Sequence, residues 1–327
     1  MSKRERLEKL STPGGIIAAL AIDQRKSLRR MIADAAGVKT EEVSDGQVAE
    51  FKGGVTRVLT KHASAVLLDP EYGLDAARRR APGCGLLLAY ESDGYENPRP
   101  HKMLALMPRE SVRRLKDRGA DGIKILLTYT PHDDPSANDE KQALVERIGN
   151  ECAAQGLPFF LEPVGYDPGG LDPKSFEYAQ GKAGIVLRSM EEFSKPEYGV
   201  DVLKVEFPVN AAFVEGTAVY TGRRVWTREE AVAVFREADR LAGRVPYIYL
   251  SAGVSALQFR ESLGLATEAG ARFSGVLCGR ATWQEGVPVY ARQGVEAFER
   301  WLENDGVRTI QQVNECLRTA TAWHARA

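Results

Sequence analysis

Eight short apolar segments recur along the chain, and a helix-like stretch, or a loop and then a helix, follows each of them. They are Ile16–Asp23, Ser64–Pro70, Gly85–Glu91, Gly122–Tyr129, Pro158–Tyr166, Val202–Val209, Tyr247–Gly253 and Phe273–Arg280. Several are apolar without alternation, as in Ala65–Leu68, which is typical of parallel strands that are buried on both faces. Eight strand–helix repeats predict an α/β fold, a (β/α)8 TIM barrel.

The segments between the strands carry helix signals. Apolar residues recur every three or four positions between residues 48 and 59, which indicates one buried helix face. Thr227–Glu230 and Ser255–Gln258 have the pattern of capping boxes, and the helix after the first is expected to stop at Gly243. We expect an extra C-terminal helix over Val307–Trp323, closing the end of the barrel.

The length of 327 residues fits either two domains or one α/β barrel. No Gly/Ser-rich linker and no shift in composition divides the chain, so we predict a single barrel domain over residues 1–327. A doubly wound open sheet is the alternative. Its dinucleotide-binding version is disfavoured because the first strand–helix turn, Ala21–Arg25, has no GxGxxG motif.

Composition excludes several kinds of function. Lys plus Arg number 44 and Asp plus Glu number 45, and this balance argues against a nucleic-acid partner. No apolar run reaches the ~20 residues of a membrane helix, and the start does not read as a signal peptide. We therefore expect no membrane partner and a cytoplasmic location. The four cysteines and four histidines are scattered, which predicts reduced thiols and no metal site.

A lysine lies inside the sixth apolar segment. Burial of Lys204 should lower the pKa of its ammonium group and expose a nucleophilic amine. Such an amine can form a Schiff base with a ketone, and the resulting iminium accepts electrons when a carbon–carbon bond breaks. The alternative is a structural lysine that reaches water or pairs with Glu206.

Lys124 and Glu162 lie in the neighbouring apolar segments. Residues at one level of adjacent barrel strands can converge, which would place both beside Lys204. A second ammonium would lower the pKa of Lys204 further, and a carboxyl group between two lysines can shuttle protons. The alternative is an ion-pair cluster that only orients the strands.

The last two segments end in residues that suit a phosphate. Ser251 and Gly253 precede a capped helix, while Gly279 permits close backbone approach and Arg280 can bind phosphate with two parallel hydrogen bonds. Ser251 and Gly253 could equally just end a strand. Asp23 ends the first segment and is a second catalytic candidate, or else a helix cap. Two further carboxylates could instead pair with the arginines of residues 78–80: Asp69 and Glu91.

Six blocks of the chain, read together, resemble the tagatose 1,6-bisphosphate aldolase family, whose members are class I, Schiff-base aldolases. The blocks are Ala21–Arg25, Leu67–Gly73, Phe159–Glu162, Asp201–Glu206, Tyr247–Ser255 and Gly275–Trp283. They keep their order, and the similarity runs over nearly the whole chain. The segments 130–135 and 167–172 depart from the family pattern beside the expected barrel mouth.

The resemblance implies an aldehyde-lyase with no cofactor. By this resemblance it would cleave a ketose 1,6-bisphosphate of the tagatose type to dihydroxyacetone phosphate and glyceraldehyde 3-phosphate. Lys204 would form the Schiff base and Glu162 would be the acid/base. The substrate would be lined by Asp23, Gln24 and Lys124, and phosphate would be held by Ser251, Gly253, Gly279 and Arg280.

Two alternatives remain open at this point. A related class I aldolase acts on sulfofructose 1-phosphate, and Arg25 or Arg280 could bind either a phosphate or a sulfonate. A non-catalytic sugar-phosphate sensor on the same barrel is the other. The expected partner is a small sugar phosphate in every case, and assembly into a homo-oligomer is open.

Overall fold

Eight parallel strands close into a barrel in the computed structural model, which describes residues 1–92, 94 and 97–326. The strands are β1 Ile17–Ala21, β2 Ala65–Leu68, β3 Gly85–Ala89, β4 Gly122–Thr128, β5 Phe159–Val164, β6 Val202–Val205, β7 Tyr247–Leu250 and β8 Gly275–Cys278. Each pairs with its neighbours in chain order, and β8 pairs with β1. The predicted (β/α)8 barrel is therefore confirmed, and every strand lies inside its predicted segment.

Helices surround the barrel. They are α1 Lys3–Leu10, α2 Lys26–Ala36, α3 Asp45–Leu59, α4 Leu74–Arg78, α5 Val112–Asp117, α6 Pro135–Gln155, α7 Phe176–Phe193, α8 Arg228–Leu241, α9 Ala256–Glu268, α10 Arg280–Trp283, α11 Val287–Trp301 and α12 Val307–Glu315. A π-helical turn, Leu302–Gly306, joins the last two. Within the described residues, none of these helices is both long enough and apolar enough to span a membrane.

Two apolar layers build the core. Inward-facing strand residues such as Leu67 and Ile248 fill the barrel. Leu7 and Leu10 of α1, together with Trp323, close the end at which the strands begin. Outward-facing strand residues pack against the helices. Gly275 opens β8 with φ +138°, and a Cβ there would lie 2.0 Å from the Ile17 carbonyl oxygen. Only glycine allows the close approach of β8 to β1 that closes the barrel.

The extra C-terminal helix is present, but its predicted length is wrong. It ends at Glu315 and is followed by a 3₁₀ turn, Cys316–Thr319. The chain then becomes extended, because the Thr321 amide donates to the Phe273 carbonyl at 2.8 Å and the Trp323 amide donates to Gly15 at 3.0 Å. These bonds place Trp323 under the barrel, where a continuing helix would not.

One predicted capping box is confirmed and the other is half right. Thr227 and Glu230 exchange both reciprocal bonds at the start of α8. Ser255 accepts a hydrogen bond from the Gln258 amide at 3.2 Å, as expected. The Gln258 side chain does not return to the cap but donates to Asn210 Oδ1 at 2.8 Å. A contact with the loop after β6 therefore replaces the local one.

Candidate active site

Three charged side chains point inward on adjacent strands of the barrel. Phe160 pairs with Val202 across β5 and β6, so Glu162 and Lys204, two residues further on, share one level. Lys124 pairs with Phe160, one inward position lower. The expectation that all three share one level is therefore wrong, but the long Lys124 side chain spans the difference.

These side chains form one buried ion-pair network. Glu162 Oε2 lies 2.8 Å from Lys204 Nζ and 2.8 Å from Lys124 Nζ. Lys124 Nζ also lies 2.9 Å from Asp23 Oδ2 and 2.8 Å from Glu91 Oε1. The side chains of Lys204 and Asp23 are 5% and 12% exposed, and the others are fully buried. A single carboxylate oxygen thus bridges two ammonium groups in a site that water barely reaches.

The network determines which groups stay charged. Burial disfavours the Lys124 ammonium, but Asp23, Glu162 and Glu91 outweigh burial and hold the pKa of Lys124 well above its usual value. Burial raises the pKa of Glu162, and the stronger effect of Lys124 and Lys204 leaves that pKa lowered. The pKa of Asp23 is also lowered, since Lys124 and Lys204 outweigh its burial. Glu162 and Asp23 are therefore carboxylates and Lys124 is an ammonium at neutral pH.

Two alternatives for these residues do not hold. Glu206 pairs with Lys182 at 3.2 Å and accepts a hydrogen bond from the Gly165 amide, so it is not the partner of Lys204. Asp23 does not cap α2, whose N-cap is Arg25 and lacks a side-chain cap bond. Asp23 is instead aimed at the lysines of the network.

The ends of β7 and β8 meet at one point. Ser251 Oγ accepts a hydrogen bond from the Gly279 amide at 3.4 Å. Gly253 has φ +73°, and a Cβ on it would lie 2.6 Å from Arg280 Cζ. A Cβ on Gly279 would lie 3.5 Å from Gln24 Nε2. The predicted phosphate-binding residues and Gln24 therefore lie close together. Because Gly253 has no Cβ, its backbone leaves room for the Arg280 guanidinium group.

Two cavities open at this mouth of the barrel, and they divide the predicted binding residues. A cavity of about 540 Å³ is lined by Ser251, Gly253 and Arg280. A smaller one of about 130 Å³ is lined by Asp23, Gln24 and Arg25. In the described part of the chain Gln24 Oε1 is a buried acceptor without a hydrogen-bond partner.

Two buried carboxylates have partners that the sequence did not predict. Asp69 binds Lys52 in a fully buried pair, and Lys52 Nζ also donates to the Ile22 carbonyl at 2.8 Å, next to Asp23. Glu91 binds Lys124 and not the arginines of residues 78–80. The signal for Lys52 was its place within the apolar stripe of residues 48–59, where an unpaired lysine would be costly.

Comparisons with known proteins find similar sequences over nearly the whole chain. The family model described as DeoC/LacD family aldolase matches residues 17–285. The chain is 49% identical over 325 residues to tagatose 1,6-diphosphate aldolase 2 of Enterococcus faecalis, covering 99% of this chain and 96% of that protein. It is 48% identical over 325 residues to tagatose 1,6-diphosphate aldolase of Streptococcus pneumoniae, covering 99% and 98%.

Solved structures share the fold at low sequence identity. An archaeal fructose 1,6-bisphosphate aldolase is 15% identical with a TM-score of 0.53, over 92% of this chain and 98% of the other. The fructose-bisphosphate aldolase of Slackia heliotrinireducens is 15% identical with a TM-score of 0.58, over 99% and 90%. These likenesses support the barrel fold alone.

Proposed function

Since this chain belongs to the DeoC/LacD aldolase family, an aldehyde-lyase family, we propose that it cleaves tagatose 1,6-bisphosphate through a Schiff base on Lys204. The observation that carries the proposal is the Glu162 oxygen 2.8 Å from both Lys204 and Lys124. A nucleophilic amine thereby has a proton acceptor in direct contact, as amine chemistry at a carbonyl requires. The relatives named tagatose 1,6-diphosphate aldolases support the choice of sugar.

Schiff-base formation uses Lys204 and Glu162. Glu162, held as a carboxylate, takes a proton from the Lys204 nitrogen as its lone pair attacks the ketose carbonyl carbon C2. Glu162 gives that proton to the C2 oxygen, then takes a second proton from the nitrogen and passes it to the resulting C2 hydroxyl, which leaves as water and gives the iminium. Asp23, also a carboxylate, is placed to assist this step or to bind substrate hydroxyls.

Cleavage follows from the iminium. A carboxylate of the network removes the C4 hydroxyl proton, the C3–C4 bond breaks, and its electron pair moves into the iminium to form an enamine. Glyceraldehyde 3-phosphate leaves, the enamine is protonated at C3, and water releases dihydroxyacetone phosphate and the lysine. We propose no metal or other cofactor for this sequence, because the iminium serves as the electron acceptor.

Substrate anions would bind at the two cavities. Ser251, Gly253, Gly279 and Arg280 would hold one phosphate, supported by their convergence at the ends of β7 and β8. Arg25, in the smaller cavity with Gln24, would face the second anion. Lys124 would line the substrate between them and keep Glu162 and Asp23 ionised.

Borohydride trapping tests the nucleophile. Wild-type protein is incubated with dihydroxyacetone phosphate and sodium borohydride, and the adduct is located by intact mass and peptide mapping. We expect one reduced adduct at Lys204 and none in Lys204→Met. An adduct on Lys124 would overturn the assignment and make β4 the catalytic strand.

A substrate panel tests the sugar. We expect turnover of tagatose 1,6-bisphosphate to exceed turnover of sulfofructose 1-phosphate. Preference for the sulfonate would favour the alternative aldolase. Ligand binding without any turnover would favour the sugar-phosphate sensor, although such a sensor would not need the contact of Lys204 with Glu162.

We also propose that the protein works in the cytoplasm on a small sugar phosphate, without nucleic acid or membrane partners. The balanced charge and the four free cysteines support this, since disulfide-bonded proteins are typical of oxidising compartments. Light scattering would measure whether the protein forms a homo-oligomer.

A further inference from the structure

Glu91 lies just beyond β3 and is 1% exposed. Its Oε1 atom binds Lys124 Nζ at 2.8 Å, and its Oε2 atom accepts a hydrogen bond from the Leu126 amide at 3.2 Å. Its main-chain carbonyl accepts a hydrogen bond from Arg25 at 2.9 Å. Glu91 therefore connects the arginine of the smaller cavity to the lysine at the centre of the network.

We propose that Glu91 is a positioning residue for the reaction. It holds the Lys124 ammonium between Asp23 and Glu162, and its negative charge helps the network to retain the proton that is exchanged with Lys204. The proposal rests on the proposed function, because Lys204 and Glu162 are the groups it acts on. Contacts of 2.8 Å link Glu91 to Lys124, Lys124 to Glu162, and Glu162 to Lys204 without a gap.

The charge balance gives the direction of the effect. Three carboxyl groups face two lysines: Asp23 after β1, Glu91 after β3 and Glu162 on β5, against Lys124 on β4 and Lys204 on β6. Burial raises the pKa of Glu91, and Lys124 and Arg25 oppose that effect. Two further cations act on the network: Arg25, bonded to the Glu91 carbonyl, and Lys52, paired with Asp69. Removing the charge of Glu91 leaves carboxylates and ammonium groups equal, so the remaining protons are lost more easily. The acid limb of the reaction of Lys204 with a carbonyl should therefore move to lower pH.

A second buried carboxylate in the barrel makes similar contacts without joining the network. Asp121, 2% exposed, precedes β4 at the opposite end of the barrel. It binds Lys9 Nζ at 2.8 Å and accepts a hydrogen bond from the Leu86 amide of β3 at 3.0 Å. Glu91 and Asp121 thus each join β3 to β4 through a backbone amide and each bind one lysine, although Lys9 belongs to α1 and Arg6 also lies 3.8 Å from Asp121. Asp121→Asn is the matched control for a purely structural role.

The experiment compares wild type with Glu91→Gln, Glu91→Asp and Asp121→Asn, each checked for folding by circular dichroism. One readout is the pH profile of kcat/KM for tagatose 1,6-bisphosphate. The other is the pH dependence of Lys204 alkylation by acetaldehyde, in which the amine and aldehyde lose water to form an iminium that cyanoborohydride reduces. The alkylated lysine is identified by peptide mass mapping, so this readout does not depend on the sugar.

We expect Glu91→Gln to move the acid limb of both profiles to lower pH by about 0.5–1 unit. Its kcat should fall by about 10- to 100-fold as Lys124 loses its position. Glu91→Asp keeps the charge, so its limb should stay in place while kcat falls. Asp121→Asn should lose stability and keep the limb and kcat.

Three results would overturn the proposal: an unmoved limb in Glu91→Gln, the same shift in Asp121→Asn, or wild-type kcat in Glu91→Asp. If Glu91→Gln does not fold, the kcat of Glu91→Asp decides whether Glu91 positions the network. If wild type cleaves no ketose bisphosphate, the proposed function fails by itself. The alkylation profiles then still decide whether Glu91 controls Lys204.

Discussion

At the scale of single residues, the chemistry concentrates on one carboxylate oxygen. Glu162 Oε2 serves two ammonium groups, and its pKa stays low although the group is buried. The sequence shows the opposing effects of burial and nearby lysines but not which is larger. The contact distances decide it, because two ammonium groups at 2.8 Å outweigh desolvation.

Glu162→Gln keeps the shape of the side chain and removes its ability to carry a proton. We expect kcat for tagatose 1,6-bisphosphate to fall by ~10²–10⁴-fold, the usual contribution of general acid–base catalysis, and KM to change much less. Steady-state kinetics provide the test. Glu299→Gln, which alters an ion pair with Arg57 on an outer helix, is the control and should leave both constants unchanged. Near-normal kcat in Glu162→Gln would mean that another group carries the proton, and Asp23 would be the next candidate.

Arg280 is expected to act through its charge and its forked shape. Arg280→Ala should raise KM for the bisphosphate by ~10- to 100-fold, since a charge-assisted contact is worth ~1.5–3 kcal/mol. Arg280→Lys should recover part of this loss, because the charge returns without the two parallel donors. Arg188→Ala, an exposed arginine of α7, is the control. An unchanged KM in Arg280→Ala would place the phosphate elsewhere.

At the scale of elements, the turn from β7 to α9 prepares the backbone for a ligand. Ala252 and Gly253 both have positive φ, at +46° and +73°. The turn leads into α9, whose N-terminus carries the positive end of the helix dipole. Its shape therefore favours an anion before any side chain is considered.

Gly253→Ala tests this turn, because its Cβ would lie 2.6 Å from Arg280 Cζ at a φ that alanine rarely adopts. We expect KM to rise by about tenfold as the guanidinium group is displaced. The double variant with Arg280→Ala should show less than the product of the two effects. Gly264→Ala in α9, with open space around it, should leave KM unchanged and stabilise the helix by ~0.5–1 kcal/mol. Equal kinetics in both glycine variants would contradict a role for the turn.

At the scale of the whole molecule, the two ends of the chain close the bottom of the barrel. Leu7, Leu10 and Trp323 fill the opening, opposite the catalytic mouth. Arg326 fixes the tail by hydrogen bonds to Asp239, with Nη1 at 2.6 Å from Oδ1. Asp239 also accepts hydrogen bonds from Tyr247 and from the Arg272 amide. Stability and chemistry are thereby separated to opposite faces.

Arg326→Ala should remove a buried charge pair and destabilise the fold by ~3 kcal/mol at pH 7, or about 5 °C in Tm. Burial raises the pKa of Asp239, but Arg326 outweighs it and leaves that pKa lowered. A lowered pKa stabilises the fold above the usual aspartate range, and this contribution disappears as the pH falls through the folded value. Thermal melts should therefore show a large difference at pH 7 that shrinks below pH ~4. An equal difference in Tm at pH 7 and below pH ~4 would exclude Asp239 as the stabilising partner of Arg326.

Local pattern alone was enough for the architecture and for the kinds of residue at the mouth. The eight apolar segments, the Thr227 cap and the polar residues at strand ends are properties of short stretches, and the barrel topology follows from their alternation. The inward positions of Lys124, Glu162 and Lys204 follow from the two-residue period of a strand.

Only the tertiary structure decided which charges meet. The arginines of residues 78–80 were possible partners of Glu91 and Asp69, but Glu91 binds Lys124 and Asp69 binds Lys52 from a helix. The helix expected to reach Trp323 ends at Glu315, because bonds to Phe273 and Gly15 pull the tail under the barrel. These outcomes depend on how far side chains reach between strands distant in sequence. That reach is set by register and stagger, which periodicity along one strand does not contain.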